Sequence, residues 1–316
     1  MSPTSQKYLL ITPCRNEIEF GRRTLDSVVA QSVLPSRWII VDDGSTDGTS
    51  ELLAEYAARH PFIQILRKPD RGVRSVGPGV IESFYLGYEA CRPEDYDYLC
   101  KLDLDLDLPA TYFESLMQRM ERDPRLGTCS GKPYVRADDG SLTIEPSGDE
   151  MSVGMTKFYR VECFREIGGF VREVMWDGID CHRCRMRGWI ACSWDDPELR
   201  FVHLRPMGSS HKGILVGRYR HGFGQYFMGT GLAYMLSSAL FRMTKPPRVV
   251  GGLAMLAGYL DSLVRRRDRY EDPEFRRFLR AYQRDCLLRG KQEATRRLNE
   301  RTAERHPAVG KARVAR

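Results

Sequence analysis

The run Leu102-Asp103-Leu104-Asp105-Leu106-Asp107-Leu108-Pro109 places three carboxylates at every second position. In an extended chain, residues two apart share a face, so Asp103, Asp105 and Asp107 are expected to converge while the leucines point the other way. Three carboxylates on one face repel one another at neutral pH unless a cation sits among them. A divalent ion is the simplest neutraliser. Mg²⁺ or Mn²⁺ suits a small set of hard oxygen ligands completed by substrate phosphates. The same alternation also fits an edge strand with one solvated acidic face. Its position after a central strand of a parallel sheet, where both faces should be covered, argues against that.

A second constellation is Val41-Asp42-Asp43-Gly44-Ser45-Thr46-Asp47-Gly48, paired with Asn16-Glu17. Asp, Ser and Gly are turn and cap formers, so a plain strand-to-helix turn accounts for the first segment taken alone. With Asn16 and Glu17 at a neighbouring strand end, the carboxylates instead lie where they can accept hydrogen bonds from a ribose and base. Two other nucleotide sites are absent, because neither GxGxxG after the first strand nor a GxxxxGKS/T loop occurs in the chain.

These residues need a scaffold. Short β-rich runs (Tyr8–Thr12, Trp38–Val41, Ile63–Leu66, Tyr98–Leu102) alternate with amphipathic stretches (Gly21–Ser32, Ser50–His60, Gly79–Cys91). The order βαβαβαβ predicts an α/β fold: a doubly wound, mostly parallel open sheet with helices on both faces. Ligands of such sheets sit beyond the carboxyl ends of the strands, where both acidic segments fall. The spacing of Tyr112, Phe113, Leu116 and Met120 predicts a further helix over Thr111–Asp123.

The 316 residues carry 49 Lys+Arg against 42 Asp+Glu, with 42% hydrophobic residues. This excludes fibrous, mainly disordered and polytopic membrane classes. Residues 261–316 hold a net charge of +8, and the rest sums to −1. Nine scattered cysteines, and an N-terminal apolar run too short for a signal peptide, predict a reduced cytoplasmic protein. Residues 221–241 and 249–260 contain no charged side chain. The first gap is long enough to cross a bilayer but glycine-rich, and the second is too short. The expected organisation is a catalytic domain over 1–215 and a helical, membrane-associated basic extension over 216–316.

Thr12-Pro13-Cys14-Arg15-Asn16-Glu17, then Val41–Thr49, then Lys101-Leu102-Asp103-Leu104-Asp105 resemble, in order and spacing, the family-2 inverting glycosyltransferases with the GT-A fold. The resemblance covers roughly residues 7–205. It implies a nucleotide-diphospho-sugar donor, a DxD metal site and an aspartate base. It further implies that Asp42, Asp43 and Glu17 contact the nucleoside, with Pro13 and Arg15 lining the same motif. Arg74, in the basic glycine-containing segment Arg71–Gly77, would touch the nucleotide as well. Asp103 and Asp105 would form the DxD pair, Asp105 being the direct ligand to Mg²⁺ or Mn²⁺ and Asp103 serving both metal and nucleotide.

For the base, the family shows Glu-Asp ahead of an Arg-bearing helix, whereas this chain reads Met175-Trp176-Asp177-Gly178-Ile179-Asp180. Asp177 is the first choice and Asp180 the second. His203, after a short β-like run, is a further candidate metal or phosphate contact. Cys181-His182-Arg183-Cys184 has no second ligand pair at zinc spacing.

The expected reaction is a single displacement at the anomeric carbon. The acceptor would be a glycan or lipid-linked hydroxyl at the inner face of the cell membrane, with the basic tail meeting anionic lipid. The QxxRW pattern of processive synthases is absent after the proposed base, which favours one sugar per encounter. Rival readings are an inactive nucleotide-binding or membrane-peripheral scaffold, and a nucleotidyltransferase on a similar sheet. The tail has few aromatics and interleaved acids, so no nucleic-acid partner is expected.

Overall fold

The computed structural model describes residues 6–70, 72, 77–137, 139–205 and 213–306. The chain forms two compact units, Met1–Gly169 with Trp189–Pro206, and Phe170–Gly188 with Met207–Arg316. The segment carrying Asp177 and Asp180 therefore groups with the C-terminal helices, although it lies within the first 215 residues.

The first unit has strands β1 (Tyr8–Cys14), β2 (Arg37–Asp42), β3 (Ile63–Arg67), β4 (Tyr98–Leu102), β5 (Leu106–Asp107), β6 (Leu126–Ser130), β7 (Lys132–Arg136), β8 (Leu142–Ile144), β9 (Thr156–Arg160), β10 (Ile190–Ser193) and β11 (Arg200–His203). Its helices are α1 (Ile18–Val29), α2 (Thr49–Arg59), α3 (Pro78–Glu89), α4 (Tyr112–Arg122) and α5 (Val161–Glu166). Seven strands form one sheet in the order β10-β6-β9-β4-β1-β2-β3. The pairs β1–β2, β2–β3, β1–β4 and β6–β10 are parallel. β9 runs antiparallel between β4 and β6.

Central β1 is buried along its whole length, as a parallel strand covered on both faces requires. Tyr8 and Leu10 pack with Leu25, Leu53 and Phe113 of α1, α2 and α4. Ile11, Ile39 and Val41 point to the other face, where α3 comes so close that a Cβ on Gly87 would lie 2.8 Å from Ile11 Cγ2. A small second sheet, β5-β11-β7-β8, stands apart from the first. The chain enters it at Gly131, where a Cβ would fall 1.7 Å from the Leu199 carbonyl oxygen, so only glycine fits.

The second unit comprises α6 (Trp176–Met186), α7 (Ile214–Met228), α8 (Leu232–Met243), α9 (Val250–Val264), α10 (Pro273–Arg289) and α11 (Lys291–Thr302). The uncharged stretch 221–241 is not one long helix. It breaks at Gly229, whose φ of 91° ends α7, and resumes at α8. Among the described residues no helix is long and apolar enough to cross a membrane. Helices α7 and α9 cross with almost no gap, since Gly222 faces the Met255 backbone and Gly258 faces that of Tyr219. α10 is bounded by an Asp272 carboxylate accepting from Phe275 N at 2.8 Å, by Pro273 in its first turn and by Gly290 after its end.

Candidate active site

Three strand ends of the first unit are tied together at their carboxyl tips. Asp43 N donates to the Cys14 carbonyl (2.9 Å) and Lys68 N to that of Asp42 (2.8 Å). Asp42 is used by its own turn, its carboxylate accepting from Ser45 N at 2.9 Å and from the Ser50 hydroxyl. Asp43 lies 2.9 Å from Lys68 Nζ. Arg15 donates to the Asp43 carbonyl and, at 2.6 Å, to Asp70. Asn16, with φ of 54°, turns the chain so that its side chain accepts from Thr46 N (2.8 Å). Asp47 accepts from Ile18 N and Thr49 N, which closes the two strand-to-helix turns on each other. Burial acts to raise the Asp47 pKa, yet hydrogen bonds from Thr49 and Ile18 hold it below the usual carboxylate range.

The acidic repeat behaves differently from the expectation of three converging carboxylates. β4 ends at Leu102 and β5, in the other sheet, holds only Leu106–Asp107, so the period-two face is interrupted. Leu104 is buried, and Leu106 N donates to Thr24 Oγ1 at 2.9 Å. Asp107 accordingly turns to Arg23 at 2.9 Å. Asp103 and Asp105 stay close enough for the charge of each to affect the other. Asp103 accepts from Lys101 Nζ, which also donates to the Gly154 carbonyl at 2.9 Å.

Asp105 is the centre of the cluster. Its Oδ2 lies 3.1 Å from Arg205 Nε, 3.0 Å from Arg205 Nη2 and 3.8 Å from His203 Nε2. Its Oδ1 is buried with no hydrogen-bond partner among the described residues. Arg205 also bonds Glu17, so one guanidinium joins the β1 end to the acidic repeat. His203 Nδ1 is 2.7 Å from Glu145 Oε2, and this contact leaves Nε2 facing Asp105. Burial lowers the His203 pKa, but the proximity of Asp105, the hydrogen bond with Glu145 and the charges of both carboxylates outweigh it and carry the value up to about 9. Burial likewise works to raise Asp105, and His203 and Arg205 hold it below the usual range.

Asp103, Asp105 and His203 offer hard oxygens and an imidazole nitrogen, with Glu145 in the outer position that fixes a ligating histidine. No group of three or more His, Cys, Asp or Glu among the described residues is gathered tightly enough to hold an ion alone. A lone buried carboxylate oxygen and few protein ligands fit an ion of the Mg²⁺ or Mn²⁺ type that shares its shell with substrate phosphates.

Pro13 lies in β1 opposite Val41. Arg74 lies outside the described residues. Sequence reasoning missed Arg205, Glu145, Lys101, Lys68 and Asp70. The first could have been found from its place two residues past His203 at the same strand end.

In the second unit, Asp177 lies in the first turn of α6 and is partly exposed, whereas Asp180 is 1% exposed and accepts from Cys181 N at 2.6 Å. Ile179 packs against Met228, Phe275 and Leu279, and His182 stacks edgewise on Tyr282 with ring centroids 5.3 Å apart. His182 and its flanking cysteines thus belong to α6 and its packing. None of the nine cysteines is joined in a disulfide.

Comparison with known proteins follows the same lines. The profile of glycosyl transferase family 2 matches residues 9–171. Poly-beta-1,6-N-acetyl-D-glucosamine synthase of Staphylococcus aureus (strain COL) is 30% identical over 126 residues, which is 39% of this chain and 27% of the synthase. Among solved structures, the mannosyltransferase PcManGT from Pyrobaculum calidifontis in complex with GDP-Man and Mn²⁺ superposes with a TM-score of 0.51 at 16% identity, covering 94% of this chain and 85% of that one. S. aureus TarS 1-349 in complex with UDP-GlcNAc gives 0.52 at 12% identity, covering 95% and 93%. At such identities the likeness speaks for the GT-A fold. With the profile matching more than half of the residues, over the segments that build the acidic site, the chain belongs to glycosyl transferase family 2.

Proposed function

We propose that this chain transfers a glycosyl group, with inversion, from a nucleotide-diphospho-sugar to a hydroxyl of a glycan or lipid-linked acceptor, one sugar per encounter. The observation that carries the reading is the buried Asp105 Oδ1 without a hydrogen-bond partner among the described residues, beside Asp103 and His203 at the carboxyl end of a parallel sheet. Asp42, Asp43 and Glu17 receive the nucleoside, with Arg15 held against them by Asp70. Asp103, Asp105 and His203 hold Mg²⁺ or Mn²⁺, which when bound offsets the charge growing on the departing diphosphate. Arg205, bridging Glu17 and Asp105, keeps the nucleoside and metal ends of the site in one frame. Asp177 takes the proton of the attacking hydroxyl at its carboxylate. Its partial exposure suits this role, and the burial of Asp180 does not.

Support comes from the ligands of proteins that share the fold, GDP-Man with Mn²⁺ in PcManGT and UDP-GlcNAc in TarS, and from the synthase that matches 126 residues of this chain. A peripheral place at the inner membrane face follows from the same acceptor class.

The test is binding of UDP, GDP, dTDP and CDP with and without Mn²⁺, read by thermal shift, for the wild type and Asp105→Ala. One nucleotide should give a metal-dependent rise that the variant lacks, and turnover of the matching sugar donor should fall by about 10²–10³. A folded protein that binds none of the four with Mn²⁺ would sink the proposal.

A further inference from the structure

We infer that the corner formed by α8, residues 244–249 and the start of α9 is a docking face for an anionic phospholipid bilayer. The inference rests on the membrane contact proposed above and moves it from the basic tail to this corner.

Fourteen of the twenty-one large apolar side chains exposed among the described residues fall between Ile214 and Val264. On α8 they form one stripe, Leu232, Leu236 and Leu240 at a spacing of four, extended by Phe241. Leu240 and Phe241 are 64% and 66% exposed. Met235 and Ala239, on the adjoining face of α8, pack inward on Tyr226, Met255 and Tyr259, while the exposed stripe lies outside that cluster. Val249, Val250 and Leu253, at the start of α9, add three more exposed apolar side chains. Too short and too polar to cross a bilayer, these helices suit its interface.

Charge names the occupant. No acidic residue occurs between Glu198 and Asp261, while Arg218, Arg220, Arg242, Lys245 and Arg248 lie in that span. Arg218 and Arg242 each bury an Nε with no hydrogen-bond partner among the described residues. Burial, then the charge of Arg242, lowers Arg218 to about 10, which marks the two as an uncompensated pair. Lys245 lies over the Phe241 ring at 5.6 Å, joining cation and apolar stripe. By contrast, Arg265 and Arg267 share Asp261, Arg296 holds Glu293 and Glu300, and Arg301 holds Asp285. These four tail arginines are held by carboxylates of the same unit. A second copy of the chain does not complement the corner, because a two-fold contact there would set the same cations against one another.

The full chain would be floated with vesicles of phosphatidylcholine alone and with phosphatidylglycerol added. Binding should require phosphatidylglycerol and fall with salt. Lys245→Ala/Arg248→Ala should weaken it about fivefold per cation removed, as loss of a lysine or arginine at an anionic surface predicts. Leu240→Glu/Phe241→Glu should abolish it, and Arg296→Ala/Arg301→Ala should leave it unchanged.

Each substituted residue is exposed, and circular dichroism with a nucleotide thermal shift would verify folding. Equal binding to neutral vesicles, or loss only in the tail variant, would overturn the inference. So would a wild-type dimer in light scattering that Leu240→Glu/Phe241→Glu converts to monomer without any vesicle binding, which assigns the face to a second copy. Vesicle binding that survives in a protein unable to bind nucleotide would discard the transferase reading alone.

Discussion

Asp105 presents two different environments on its two oxygens, one crowded by Arg205 and His203 and the other buried with no hydrogen-bond partner among the described residues. The first lets a carboxylate persist inside the protein, and the second leaves it a bond to make. His203 carries a cost of its own at alkaline pH. Its pKa of about 9 stands above the unfolded histidine value near 6.5, so the native state binds the proton more tightly. Its stabilising contribution is complete below about pH 6.5 and is lost as pH rises through about 9. Urea unfolding of the metal-free protein should show this fall across that window, and His203→Gln should flatten it. An unchanged slope in the variant would remove His203 from the buried charge cluster. The two acids and the histidine were legible in the sequence because each closes a strand-like run. Glu145 was not, because it reaches His203 across 58 positions from a weakly patterned hairpin.

At the scale of elements, glycines set how closely backbones approach. A Cβ on Gly222 would meet the Met255 carbonyl oxygen at 1.9 Å, and one on Gly258 would meet that of Tyr219 at 2.0 Å. Neither obstacle is a side chain that can swing away. Gly222→Ala and Gly258→Ala should each cost about 3 kcal/mol, the upper end for overpacking, seen as a lower urea midpoint for loss of helical signal. Gly251→Ala is the control, since its nearest atoms lie 3.5 Å away on the Pro247 ring and ordinary contact results. Equal stability of all three would refute the close α7–α9 crossing. Periodicity located β1 to β4 and the helices between them within a few residues, because each segment buries one repeating face. The antiparallel β9 and, in the second sheet, β7 and β8 escaped notice. They are short, and they form only when distant partners supply the pairing.

For the molecule as a whole, where cations are paired matters as well as how many there are. The tail's +8 already sets its carboxylates against its cations, Arg296 and Arg301 being among those held in pairs, while on the helices before it Arg218 and Arg242 each bury an Nε with no hydrogen-bond partner among the described residues. Ligand linkage gives a global check on the donor site. With its nucleotide and Mn²⁺ at a hundred times Kd, the site should gain about 2.7 kcal/mol. Slower hydrogen exchange in β1, β2 and β4 would report it. Protection confined to other segments would place the nucleotide elsewhere.

The residues alone determined the alternating α/β order, the two acidic segments at strand ends and the family resemblance, because strand and helix periods and turn chemistry are local properties. Tertiary structure decided which carboxylates meet. Asp107 left the cluster once the strand broke at Leu102, while Arg205 and Glu145 entered it from strands and loops far along the chain. It also decided which cations keep a free charge, since pairing depends on distance in space and composition records only number.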